Sequence, residues 1–339
     1  MIKFLTATNL SVDDYTLRLP PMDQLLTLYH VNSDLAFFLA RPMFNHQISL
    51  KCEEMRKKDP KFWKNDKEKG YEGYVQAVTE VMNPVIDAIR PLHTHKVWDD
   101  ISPQFLTTFW SLTMYDLFVP ETVYEKEISK LKAAPARIDE NKELNASRKK
   151  KEKERIHNLM EKLIDEQKRQ RDHVERVMAR LRAEKDTWFL SRSVKLAKNE
   201  TITTFLQLFL FPRCIFTAND AIYCAKFVQV IHSLRTPYFP TLICFDRVSI
   251  ELLEIIYTEF RIDDNFLTSF QIFCDITYTV TSCTENEAQR YGRFLEAMLG
   301  IVMRWHKSKD VFEQECAGYP GFVTKFRVTT SDAQGDKDR

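Results

Sequence analysis

The sequence predicts an all-α fold: an irregular α-solenoid of HEAT-like helical repeats carrying one long, charged, coiled-coil-like helix. Three observations predict it. No glycine occurs between Gly73 and Gly292, a gap of 218 residues. Glycine permits close backbone approach and left-handed turns without steric cost, so phosphate-cradling loops are excluded from that stretch and tight hairpins are disfavoured. Apolar residues recur at steps of three and four between prolines, the period of amphipathic helices. From Ala136 to Phe211 there is neither glycine nor proline to break a helix.

The elements follow in order. Pro20-Pro21 precedes an apolar run of Met22, Leu25, Leu26, Leu28 and Tyr29, and proline is tolerated in a first helical turn. Pro42 opens the next stretch, with Met43, Phe44, Ile48, Cys52 and Met55 on one face. Residues Lys57–Glu72 are polar and lysine-rich and read as an exposed loop. Tyr71 to Ile89 then show a clear helical period, which Pro84 should kink or split. Ser102-Pro103 is a helix start, serine as N-cap and proline at N1. The segment from Phe105 to Leu117 is apolar on most sides and should be buried; Pro120 ends it. Tyr124, Ile128 and Leu131 mark a helix that stops before Pro135.

Arg148–Asp186 carries 14 basic and 9 acidic residues in 39. Its apolar positions, Ile156 to Leu181, form only a narrow seam. A helix of that length spans about 60 Å at the α-helical rise. So thin a stripe cannot hold it on a core throughout, so it should project or lie along a partner. Asn199 can cap a helix through Phe205 and Phe209 that ends near Pro212. Two further amphipathic helices lie around Ile222–Leu234 and Phe294–Trp305. The expected organisation is a helical block over 1–135, the charged helix over 136–190, a second block over 191–328 and a disordered tail over 329–339.

Composition narrows the function classes. The net charge of +1 gives no whole-protein field toward nucleic acid or membrane. Seven cysteines, an odd number with no CxxC pair, fit a reducing compartment. No apolar run approaches the roughly 20 residues that span a bilayer, so no membrane partner is expected. His93 and His95 do not share a helix face and make a poor metal site. Asp99-Asp100 reads as a pair of acids favouring the positive end of the next helix. Cys283 is followed by acids, which disfavour a thiolate, so Thr284 or Asn286 reads as a helix cap. No catalytic constellation, metal or cofactor is implied.

The basic cluster Arg148, Lys149, Lys150, Lys151, Lys153 and Arg155 has three readings: a solvated helix start, a nuclear-import signal, or a phosphate-binding patch. Lys168, Arg169, Arg171, Arg176, Arg180 and Arg182 would extend such a patch to RNA. The segment has no aromatic side chain to stack a base before Trp188, so base readout is not expected.

Several stretches together resemble the THO complex subunit 2 family. They include Leu17-Arg-Leu-Pro-Pro21, Ala36-Phe-Phe-Leu-Ala-Arg-Pro-Met43, Lys96-Val-Trp-Asp-Asp-Ile-Ser-Pro-Gln-Phe105, Lys149-Lys-Lys-Glu-Lys-Glu-Arg155, Phe211-Pro-Arg-Cys-Ile-Phe216 and Arg290-Tyr-Gly-Arg-Phe294. The resemblance implies a non-enzymatic nuclear scaffold of the complex that couples transcription to mRNA export. Its expected partners are the other THO subunits and a DEAD-box RNA helicase, with direct mRNA binding as the alternative role. Within the resemblance, Lys149–Arg155 matches the family's import-signal-like cluster. One departure stands out. The family counterpart of Cys244-Phe-Asp-Arg247 runs almost directly into that of Phe273-Cys-Asp-Ile-Thr-Tyr278, whereas here the 24 residues Val248–Gln271 intervene. Val-Ser and Phe-Gln can be encoded by splice-donor and splice-acceptor sequences, so a retained intron or gene-model error is expected there.

Overall fold

A computed structural model describes residues 11–59, 67–140, 145–190, 201, 204–236 and 283–317. Among these the fold is all-α. The described residues contain no strand, only an isolated antiparallel bridge between Ile101 and Phe189. The chain divides into two compact units, Met1–Leu190 and Ser191–Arg339. The expected insert at 248–271, the tail at 329–339 and the Asn199 cap lie outside the described residues.

The first unit opens with α1 (Val12–Arg18), started by a reciprocal Ser11–Asp14 capping box. Next come α2 (Met22–Thr27) and α3 (Ser33–Lys58). α3 runs straight through Pro42 and does not begin there. An interior proline costs about 3 kcal/mol or more. Here Ala36, Phe37 and Ala40 on one side and Met43, Phe44 and Ile48 on the other are all buried. At roughly 1.5–3 kcal/mol for each large side chain, that burial outweighs the lost bond. Arg41 Nε donates to the Trp110 carbonyl at 2.9 Å, and Phe37 stacks on the Trp110 ring at 6.3 Å.

α4 spans Lys67–Ile89 and also continues past its proline, Pro84. It begins upstream of the expected start, so Lys57 and Lys58 at the end of α3 and residues 67–72 are helical, not loop. Residues 60–66 lie outside the description. α3 and α4 pack side by side, burying Ala77, Val78, Met82, Val85 and Ile89 of α4.

After α5 (His95–Asp100), α6 (Pro103–Ser111) starts as expected, with Ser102 Oγ accepting from Phe105 N at 3.2 Å. Asp99 and Asp100 therefore close α5, and Ser102 does the capping. Nearly every residue of α6 is buried. The helix does not run on to Leu117. A second capping box, Thr113 with Asp116, interrupts it and starts α7 (Met114–Leu117). α8 spans Glu121–Glu140, again with its proline, Pro135, inside. α9 runs Ala146–Glu184, 39 residues capped by the Asn145 side chain, which accepts from Arg148 N at 2.9 Å. Trp188 and Phe189 then fold their rings onto Phe105, at 5.2 and 5.0 Å.

The second unit contains a π-helical turn (Phe205–Leu210) leading through Pro212 into α10 (Phe211–Cys214), then α11 (Ala218–Ser233), α12 (Glu285–Lys307) and α13 (Lys309–Phe312), with a π-helical turn at Glu313–Ala317. Pro212 is therefore passed within helical structure, as the first-turn position of α10 allows. α11 packs on α12. Thr284 caps α12 through a capping box with Glu287. Arg213 is fully buried, pairs with Asp220 at 2.8 Å and lies 3.6 Å from the Tyr223 ring. Arg290 donates to the Ile215 and Phe216 carbonyls, both at 3.0 Å.

Candidate interaction surface

The candidate surface is the antiparallel pair α8–α9, and its geometry follows from charge placement. α9 is two different objects along its length. From Gln170 onward it is part of the body of its unit, lying against α7 and α4. Val177, Leu181, Gln170, Arg180 and Glu184 are buried. Before Gln170 no described side chain of α9 is buried, and none of α8 is.

The body half is pinned by polar groups the sequence reading left among the surface charges. Arg180 Nε donates to Glu184 at 2.8 Å, and its Nη2 donates to Thr108 Oγ1 at 3.1 Å. Thr108 in turn donates to the second Glu184 oxygen at 2.7 Å. Burial alone would lower the Arg180 pKa, but the charges of Glu184, Tyr74 and Asp116 outweigh it, so the pKa is raised. His173 Nε2 meets Asp116 at 2.6 Å. Burial would raise the Asp116 pKa, yet His173 and the Thr113 donors hold it below its ordinary value. Desolvation pushes the Tyr74 hydroxyl up to about 12, and Arg176 lies 5.8 Å over its ring.

The outer half is a two-helix arm. Its polar contacts sit along one edge. Glu121 accepts both Nη2 and Nε of Arg171, at 2.8 and 3.0 Å, and also Gln167. At the other end Asp139 pairs with Lys153 at 2.6 Å and offers its carbonyl to Lys149 at 2.8 Å. Tyr124 donates to Gln170 at 2.9 Å, and Gln170 donates to the Phe118 carbonyl.

These contacts decide what each sequence-flagged cation can do. In the cluster, Lys149 and Lys153 are engaged by Asp139, whereas Arg148, Lys150, Lys151 and Arg155 are exposed. A helix turns each successive residue by about 100°, so the six lie around the axis and not on one face. In the second group, Arg180 is sealed inside its unit, Arg171 is bound bidentately by Glu121, and Arg176 is half-buried against Tyr74. Lys168, Arg169 and Arg182 of that group are exposed, and Arg171 is exposed but held by Glu121. Arg180 and Arg213 were the missed structural residues. Glu four positions after Arg180 was the available hint for the first; Asp220, seven after Arg213, gave no local pattern.

Outside this surface, the described residues hold no group of three potential metal ligands, and no described helix is long and apolar enough to cross a membrane. His93 packs edge-on against Trp98, and burial lowers its pKa. Burial and then Glu287 raise the Cys283 thiol.

Comparison with known proteins gives the lineage. A family model described as "Transcription factor/nuclear export subunit protein 2" matches residues 98–259 and 265–338. Its interruption, 260–264, falls inside Val248–Gln271, although the match itself continues through 248–259. The chain is 49% identical over 333 residues to THO complex subunit 2 of Homo sapiens and to that of Dasypus novemcinctus, 98% of this chain in each case. It is 32% identical over 342 residues to THO complex subunit 2 of Arabidopsis thaliana. It spans 19% of the two mammalian relatives and 17% of the plant one. The chain belongs to the THO complex subunit 2 family.

Proposed function

We propose that this chain is a non-enzymatic scaffold segment of a nuclear THO-type assembly that couples transcription to mRNA processing and export. Its partners are the other subunits of that assembly and a DEAD-box RNA helicase. Its helical pairs stack as an irregular solenoid, and the charged arm reaches outward. The carrying observation is likeness along 98% of the chain to proteins named as subunits of a complex. The packing agrees with it: buried positions are taken by rings, aliphatics and paired charges that hold helix to helix. The test is recovery of the tagged protein from nuclear extract, with crosslinking mass spectrometry read at Lys149–Lys185. Stoichiometric THO subunits and a helicase are expected; a chain recovered alone or in the cytosol overturns the reading.

Direct RNA binding is the second reading. What favours it is the exposed basic ridge of Lys151, Arg155, Lys162 and Arg169 on the side of α9 facing away from α8. Neutralising those phosphate contacts would give an affinity falling steeply with salt, with a log–log slope of about −0.7 per contact on single strands. A filter-binding titration showing no RNA retention near physiological salt removes this reading and leaves the scaffold intact.

A further inference from the structure

We propose that the open edge of the α8–α9 arm is a docking groove for an acidic amphipathic helix of another polypeptide. This deepens the scaffold reading and rests on it. The two edges of the arm differ. One is closed by Glu121–Arg171 at the body end and Asp139–Lys153 at the tip. On helical wheels at about 100° per residue, Glu121 and Asp139 fall at one angle of α8, and Lys153 and Arg171 at one angle of α9. The stripes next to them, on the opposite edge, are apolar: Val123, Leu131, Ala134 and Ile138 on α8, and Leu159 and Leu163 on α9. None of the six is buried. Val123 is 57% exposed and Leu159 is 48% exposed. Two helices alone leave such a seam half-covered, and a third helix laid between them would complete it.

Charge selects the occupant. Lys126 and Lys130 flank the apolar stripe of α8, and Arg148, Arg155 and Lys162 flank that of α9. Three carboxylates share these rims. Glu127 bonds Lys130 at 2.5 Å, Glu152 lies 3.9 Å from Arg155, and Glu166 is exposed. Among the described residues Lys126, Arg148 and Lys162 have no ion-pair partner. A helix with leucines inward and glutamates on both flanks satisfies floor and rims together. A second copy of this arm does not, because it would set five cations against five.

The probe is a synthetic 18–21-residue helix with leucine at the a and d positions and glutamate at e and g; its twin carries lysine at e and g. Fluorescence anisotropy against the full 339-residue chain should show the acidic helix binding at least about tenfold tighter than the basic twin. Leu159→Glu should weaken it by about tenfold or more with an unchanged thermal melt, since Leu159 is half-exposed. Arg155→Glu should reduce both the affinity and its salt dependence. Equal affinity for the two helices, no binding of either, or indifference to Leu159→Glu overturns the proposal. So does displacement of the acidic helix by single-stranded RNA, or a self-associating chain that Leu159→Glu makes monomeric. Co-purification separates the two levels. Intact assembly with THO subunits alongside a failed helix titration sinks the groove and leaves the scaffold standing.

Discussion

The two halves of α9 share a helix and a composition, yet obey different physics. Beyond Gln170 two of its charges, Arg180 and Glu184, are buried and paired, and Val177 and Leu181 are buried. Before Gln170 its charges are solvated and its seam is half-open. The difference comes from neighbours, not from local sequence: the inner half lies against α4 and α7, the outer half has α8 beside it. A charged helix can therefore be an anchor and an arm at once.

The sharpest way to break this contrast is to unpair the anchor. Arg180→Ala leaves Glu184 buried without its cation, and Thr108 with half its network. Removing one partner of a buried pair costs about 3–5 kcal/mol, so urea unfolding should lose that much. Arg155→Ala, about seven turns earlier on an exposed face, should cost less than about 0.5 kcal/mol. Arg180→Met with Glu184→Leu should recover most of the loss, because apolar replacement of both partners is often tolerated. Equal costs at the two arginines would erase the distinction between anchor and arm.

Apolar truncation gives the next largest effect. Leu181 is completely buried, and Leu181→Ala should cost about 2–5 kcal/mol. Leu159→Ala removes the same atoms from a half-exposed site and should cost less than about 1 kcal/mol, read from the same melts. The pair isolates burial from chemistry.

Acid probes the junction between the halves, where His173 meets Asp116. Asp116 has a lowered pKa in the folded chain despite the burial that opposes it. Its contribution is thus present above its unfolded value and lost as pH falls through the lower folded one. Stability should decline as pH drops below about 4. Asp116→Asn should flatten that limb while costing about 1–3 kcal/mol at neutral pH from unsatisfied donors. In the second unit His232 behaves with the same sign for another reason. Burial lowers its pKa, against the Glu315 carbonyl that raises it. The neutral form is favoured in the fold, so acid below the usual histidine range destabilises that unit. His232→Gln should remove this component from the pH profile.

Much of this was legible in the residues and some was not. The helical class and the caps at Ser102 and Thr284 follow from local rules, hydroxyl caps and period; the charged span expected over 136–190 is instead shared between the end of α8 at Glu140 and α9, Ala146–Glu184. The prolines misled. Pro42, Pro84 and Pro135 all sit inside helices; burial around Pro42 and Pro84 can outweigh a local penalty of about 3 kcal/mol, whereas α8 around Pro135 has no buried described side chain and has α9 beside it. The break at Thr113 ran the other way: the Thr-x-x-Asp capping signature was present, but a segment from Phe105 that is apolar on most sides masked it. Burial of Arg180 was only hinted at by Glu184 four positions on, because its other partner, Thr108, lies 72 residues away. Periodicity reports what one face of a helix prefers, not which neighbour will cover it.

The smallest effect tests the closed edge of the arm. Arg171 and Glu121 form a bidentate pair, the stronger geometry for guanidinium and carboxylate. Both are well exposed, at 52% and 39%, so solvent screens the pair and ordering two long side chains offsets part of the gain. Glu121 keeps a pKa below its ordinary value, first through the Arg171 hydrogen bonds. Arg171→Ala should therefore cost the least of these substitutions, and the difference should shrink at high salt. Its larger consequence is geometric. With Arg171 gone, the inner end of the arm keeps Gln167–Glu121 and Tyr124–Gln170 but loses its bidentate contact between α8 and α9. Hydrogen exchange in 121–135 should quicken while that in 177–184 stays unchanged. Faster exchange spreading into 177–184 would mean that arm and anchor open as one cooperative piece.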